Sequence, residues 1–316
     1  METIYFVIVA FLLILAVFDL FVGVSNDAVN FLQSAIGAKV ARFRTVLVVA
    51  SAGVLIGAVM SAGMMDVARH GIMQPENYSF AEVMTIFLAV MVTDVVILDI
   101  FNTLGMPTST TVSLVFELLG ATFILALFKM GSDPSLSFVD LLNSSKALSV
   151  IIAIFVSVAI AFFFGVAVMW LSRIVFTFNY KKHLRYTIAI FGGIAFTALA
   201  YFIFIKGLGG SPFISDATKD WINENTTMLL LVVFVASTIL NEILHLLRVN
   251  VFKIIVLLGT FALAMAFAGN DLVNFIGVPL AGLDSLQDFM ANGKGDINGF
   301  MMTSLMSSAK SPILYL

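Results

Sequence analysis

Phe21-Val22-Gly23-Val24-Ser25-Asn26-Asp27-Ala28-Val29-Asn30-Phe31 lies inside a long apolar run near the start of the chain. Near the other end, Phe267-Ala268-Gly269-Asn270-Asp271-Leu272-Val273-Asn274-Phe275 repeats its core, Asn-Asp-x-Val-Asn-Phe, in an equally apolar setting. Each copy places a carboxylate and two carboxamides where hydrocarbon contacts dominate. Such groups are expensive there and are kept for function. A repeated expensive motif points to two related halves that build one site between them.

Composition sets the solvent. Of 316 residues, 61% are hydrophobic and 11% charged, against about 25% charged in a soluble domain. The sequence describes an all-α polytopic membrane protein. A net charge of −3 argues for neither nucleic acid nor an acidic lipid surface as partner. The chain has no cysteine, which excludes disulfides, thiolate metal sites and cysteine nucleophiles. Met1-Glu2-Thr3 supplies no basic stretch ahead of the first apolar run, so that run is expected to remain as a span rather than be cleaved.

Eight runs have spanning length: 4–36, 45–64, 80–101, 103–128, 147–172, 186–206, 226–247 and 252–282. About 20 residues cross a bilayer. The first and last runs are longer and carry the Asn-Asp motifs, and polar or glycine residues at their middles (Gly23, Ser25, Gly269) read as broken helices. A ninth run begins near Phe300. The chain divides by pattern into 1–172, a first repeat; 173–251, connecting membrane helices; and 252–316, the start of a second, inverted repeat.

Basic residues set the orientation. Lys39, Arg42 and Arg44 follow run one; Arg173, Lys181, Lys182 and Arg185 follow run five; Arg248 and Lys253 follow run seven. Loops 65–79 and 207–225 are poorer in basic residues or acid-biased. The basic loops therefore share one side if every run spans, and the N-terminus lies outside. Run one and run eight then cross in opposite directions, which is an inverted repeat. Gly53 and Gly57 in run two form a small-xxx-small pattern suited to a close helix contact.

The ionisable residues inside the runs are Asp19, Asp27, Asp94, Asp99, Glu117, Glu242 and Asp271, all acidic. Buried carboxylates without a fixed cationic partner must be protonated or hold a mobile cation. Na⁺ or H⁺ is the expected bound species, with Asn side chains supplying neutral oxygens. Asp94 and Asp99, five apart, face different sides of their helix, and either could be a structural hydrogen-bonding acid. Asp19, Glu117 and Glu242 read as structural or near-interface. His70, His183 and His245 are too dispersed for a metal centre. Gly105-Met106-Pro107-Thr108-Ser109-Thr110-Thr111 opens run four. Proline suits a first helical turn, and a helix beginning there presents backbone N–H groups, a positive dipole end and four hydroxyls. This arrangement cradles a small oxyanion without a basic side chain.

Asn26-Asp27-Ala28-Val29-Asn30 resembles the Gly-Ala-Asn-Asp-Val-Ala-Asn signature of the inorganic phosphate transporter family of sodium- or proton-coupled symporters. Pro107-Thr108-Ser109-Thr110-Thr111 resembles that family's Pro-x-Ser-Thr-Thr segment, and Gly269-Asn270-Asp271 its second signature. The resemblance covers the whole chain in order and spacing. It departs at Val112, where the family often has His, and at Val24 and Ser25, where it has Gly and Ala. It implies phosphate binding by Ser109, Thr110, Thr111, Asn30 and Asn274, and cation binding by Asn26, Asp27, Asn270 and Asp271. It also implies a cell-membrane transporter of inorganic phosphate in symport with Na⁺ or H⁺, needing no cofactor beyond the coupling ion. Such a protein is not an enzyme; its surroundings are the lipid bilayer, and a homodimer is a candidate assembly. Repeating the spacing after Asn270 would place a second Pro-x-Ser-Thr-Thr beyond Leu316, so the chain is expected to be a fragment of a longer transporter. The rival readings are carriage of another oxyanion such as sulfate, an intramembrane hydrolase using Asp27 and Asp271 as a dyad, and a passive channel.

Overall fold

A computed structural model describes residues 2–60, 69, 71–177, 180–207 and 215–307. Among them the regular structure is helical, with two isolated antiparallel bridges, Met73 with Leu142 and Ser79 with Met301. The helices are α1 (Glu2–Gly37), α2 (Phe43–Met60), α3 (Phe80–Thr103), α4 (Thr110–Ser132), α5 (Phe138–Leu141), α6 (Ser144–Phe176), α7 (Tyr180–Ala200), α8 (Asp216–Glu224), α9 (Thr226–Leu246), α10 (Val251–Asn270) and α11 (Leu272–Asn292). Seven stretches of the described residues are long and apolar enough to cross a membrane; they include α1, α3, α4, α6 and α9, and α10 with α11 forms one of them. The shorter Phe43–Val59 accompanies them. The protein is a multi-pass membrane protein. α6 shows why so many apolar side chains are left uncovered. In 33 residues it buries only Ala147, and Phe155, Phe162, Phe163, Phe164 and Trp170 are all exposed, as suits a helix solvated by lipid.

The chain forms two compact units. The first comprises 1–29, 62–154 and 270–316, and the second 30–61 and 155–269. The first packs α1, α3, α4 and α11 around Leu12, Phe80, Met84, Phe87, Leu114 and Phe289. Phe80 stacks on Phe289 with centroids 4.3 Å apart and rings parallel within 1°. Its α3 begins with a reciprocal cap: the Ser79 N–H donates to Glu82 Oε2 at 2.8 Å, and the Glu82 N–H donates to Ser79 Oγ at 3.4 Å. Each orphan donor of the first turn thus gains an acceptor. Lys129 from the end of α4 closes the same corner, donating to Glu82 Oε2 at 2.8 Å and to the Asn77 carbonyl at 2.9 Å. α3 and α4 are thereby held as an antiparallel hairpin with its tip at Leu104–Ser109.

In the second unit, α2 packs on α10 through the glycines of run two. A Cβ on Gly53 would come within 2.5 Å of the Phe261 carbonyl oxygen, and one on Gly57 within 2.2 Å of that of Met265. The expected close contact is present. α7 and α9 pack similarly, the Ser237 hydroxyl reaching the Gly193 carbonyl at 3.3 Å.

Two local expectations need correction. α1 is continuous over 36 residues; its Asn-Asp motif does not break it, because those side chains turn sideways to a neighbouring loop while the backbone keeps its own ladder. The break falls only in the last long run, at Asp271 between α10 and α11. α4 starts at Thr110, capped by Ser109, rather than at Pro107. Pro107 sits in the irregular hairpin tip, where Gly105 takes a positive φ of 67°. Of the ninth run, a short 3₁₀ turn, Thr303–Met306, is present, and 308–316 lie outside the described residues.

Candidate functional site

The site lies within the first unit, where α1, the hairpin tip and the break at Asp271 converge. Asn26 is 4% exposed and grips the tip with both ends of its amide. Its Nδ2 donates to the Met106 carbonyl at 3.1 Å, and its Oδ1 accepts the Thr108 N–H at 2.9 Å. This pairing settles two backbone groups on either side of Pro107, which itself offers no donor. The first motif thus fixes where α4 begins.

The next residues of the tip serve the acids. Ser109 Oγ accepts the Val112 N–H at 3.4 Å and caps α4. The Thr110 side chain, 2% exposed, faces the carboxyl of Asp27, which also lies close enough to Asp271 for the two charges to interact. Thr111 Oγ1 donates to Asp271 Oδ1 at 2.8 Å and accepts from Asn274 Nδ2 at 2.8 Å. One hydroxyl is therefore shared by the acid and the amide of the second motif. Phe275, the last residue of that motif, presses its ring on Gly23: a Cβ there would stand 2.2 Å from Cζ. Glycine is required at this point for the two motifs to approach.

The structure therefore gathers Asn26, Asp27, Ser109, Thr110, Thr111, Asp271 and Asn274 in one unit. Asn30 is exposed and belongs to the second unit. The Asn270 side chain lies outside the described residues. Chemically, the cluster offers two carboxylates for cations, three hydroxyls, and the N-terminal N–H groups and dipole end of a 23-residue helix for an anion.

Two features escaped the reading of the sequence. Asn26 is a positioning group for the hairpin tip, a role that no local pattern reveals. Asp19, Asp94 and Glu117 also come together, although they derive from three separate runs. Only the Ser113–Glu117 pair, four apart and joined at 2.7 Å, left a trace in the sequence.

The fold is an all-helical membrane fold in which both Asn-Asp motifs lie against a hydroxyl-rich helix start. The model of the phosphate transporter family matches residues 23–309, and the chain belongs to that family. A solved structure, "The sodium-dependent phosphate transporter", superposes with a TM-score of 0.70 over 98% of this chain and 72% of its own length, at 18% identity. That likeness shows a shared fold. No curated protein matches the sequence.

Proposed function

We propose that the protein carries inorganic phosphate across the cell membrane in symport with Na⁺ or H⁺, by alternating access and without catalysis. Phosphate is an anion, and a site holding Asp27 and Asp271 repels it until cations neutralise those acids. Co-binding is therefore an electrostatic requirement, which makes the protein a symporter rather than a uniporter. The reading is supported above all by the Thr111 hydroxyl, bonded at once to Asp271 and Asn274. A cation on Asp271 competes for the oxygen that Thr111 engages. Its hydroxyl hydrogen is then released to an incoming phosphate oxygen. Thr110 and Ser109 stand one and two residues away with the helix N-terminus between them, and a charged acceptor strengthens each such bond.

In this reading Asp27, Asn270 and Asp271 serve the cation, Asn26 holds the hairpin tip in place beside them, and Ser109, Thr110, Thr111 and Asn274 serve the oxyanion. The N-terminus lies outside, the motifs are inverted repeats, and a homodimer is the assembly to look for. The coupling ion is Na⁺ in the first instance, the ion in the name of the structural neighbour. The experiment is labelled phosphate uptake into proteoliposomes under imposed Na⁺ or H⁺ gradients. Uptake that follows the cation gradient supports the reading. Flux indifferent to any gradient makes the protein a channel, and sulfate competing as well as phosphate makes it a general oxyanion carrier.

A further inference from the structure

Within the first unit a second group of acids lies apart from the Asp27–Asp271 cluster. Asp19 on α1 is fully buried, at 0% exposure, and Asp94 on α3 is 1% exposed. Both oxygens of Asp19 are without a donor from the protein, as are Oδ1 of Asp94 and Oε2 of Glu117. The carboxyl groups face one another: Asp19 lies within hydrogen-bonding reach of Asp94 and beside Glu117, and Asp94 reaches Ser113 and Glu117 in turn. The Ser113 hydroxyl donates to Glu117 Oε1 at 2.7 Å. No Lys, Arg or His of the described residues touches the group through a hydrogen bond or ion pair. Two carboxylates cannot hydrogen-bond each other without a proton between them, and three buried like charges without a counter-charge are not sustained.

Glu117 also faces open space. It lines a cavity of about 760 Å³ between α3 and α4. The cavity runs from Thr85 and Phe128, towards the open end of the hairpin, to Thr108 at its tip, and Thr93 and Ser113 add hydroxyls along its wall. The acids therefore form a line, from Glu117 at the cavity through Asp94 to Asp19 in the core.

We propose that Asp19, Asp94 and Glu117 form a proton-binding site, loaded from the α3–α4 cavity through Glu117. A proton arriving at Glu117 passes to Asp94 and is held between Asp94 and Asp19. The negative charge of the group falls by one with each proton bound, and no bond other than O–H changes. The three share protons as one unit rather than titrating separately. A proton is the ligand that fits, because facing carboxyl groups need one between them to hydrogen-bond and no donor from the protein reaches either oxygen of Asp19. Ser113 lies in the first turn of α4 with Thr110 and Thr111, so proton occupancy bears directly on the helix that presents the hydroxyls of the phosphate site.

The test reads protons directly and does not depend on transport. Infrared difference spectra of the purified protein are recorded across a pH titration, in H₂O and in D₂O. The expected result is a deuterium-sensitive carboxylic-acid C=O band that is lost in Asp94→Asn, and lost or displaced in Asp19→Asn and Glu117→Gln. The band should persist in Asp27→Asn. Glu117→Gln keeps the acceptor that Ser113 uses, so it carries the test if a core variant fails to fold. A band unchanged in all of the triad variants that fold overturns the proposal. So does a band that disappears with added Na⁺ at fixed pH, which would make the triad a sodium site.

Discussion

At the residue scale, Thr111 makes the sharpest prediction. Its hydroxyl joins the acid and the amide of the second motif to α4. Thr111→Val keeps the shape and removes the donor. A hydrogen bond to a charged group is worth about 1.5–3 kcal/mol, so the apparent affinity for phosphate should fall roughly ten- to a hundredfold. The dependence of uptake on the cation gradient should weaken with it, because the hydroxyl no longer passes from Asp271 to phosphate. Measuring phosphate uptake at several Na⁺ concentrations checks both effects; an unchanged cation dependence would sink the hand-over. Asp27→Asn and Asp271→Asn should each abolish coupled uptake in folded, inserted protein, since each keeps the shape and removes a charge. Gradient-driven uptake like that of the unmodified protein, by either variant, would remove the acids from the site. Asp27, Asp271 and the hydroxyl segment were legible in the sequence as candidates, because buried polar residues in apolar runs stand out by their cost. The geometry was not legible. Whether Asn26 binds an ion or ties down a loop depends on a contact with Met106 and Thr108, some eighty positions away. The acids Asp19 and Glu117 looked incidental because each stands alone in its own run.

At the element scale, apolar length and loop charge marked out the helices well, and breaks in them poorly. The two motifs have nearly the same residues, yet α1 runs through its copy while the second is broken at Asp271. Local propensity hardly distinguishes the two, so the difference arises from what each copy packs against. Gly23 is where this can be tested. The Phe275 ring occupies the space a Cβ would need, and it is fully buried, so it has nowhere to retreat. Gly23→Ala should therefore destabilise the protein by overpacking, by about 1–3 kcal/mol, although alanine favours a helix more than glycine does. Thermal unfolding in detergent reads the loss. Adding Phe275→Leu should recover part of it, since the shorter side chain makes room. An additive double variant would mean that the two positions are not in contact.

At the scale of the whole molecule, the chain passes between its two compact units at four places, and two of them fall at the Asn-Asp motifs: between Val29 and Asn30, and between Gly269 and Asn270. Sequence periodicity could not show this, because a polar break inside an apolar run does not say which neighbours each half packs against. The placement suits an inverted repeat, in which related helices enter the site region from opposite sides. The proposed topology makes that statement measurable. Ala38, after α1, and Asn292, at the end of α11, are both exposed, and the chain has no cysteine of its own. With run one leading inward and the last long run leading outward, a cysteine at position 38 should react with an impermeant thiol reagent only from the cytoplasmic face. A cysteine at position 292 should react only from outside. Right-side-out and inverted vesicles provide the two arms, and retained phosphate uptake shows that each variant is native. Labelling of both positions from the same face would mean that α10 and α11 double back at Asp271 instead of crossing. The two motifs would then approach the site from one side, and the inverted-repeat account of their pairing would fall, while the hydrogen bonds that tie each of them to the hairpin tip or to α4 would stand.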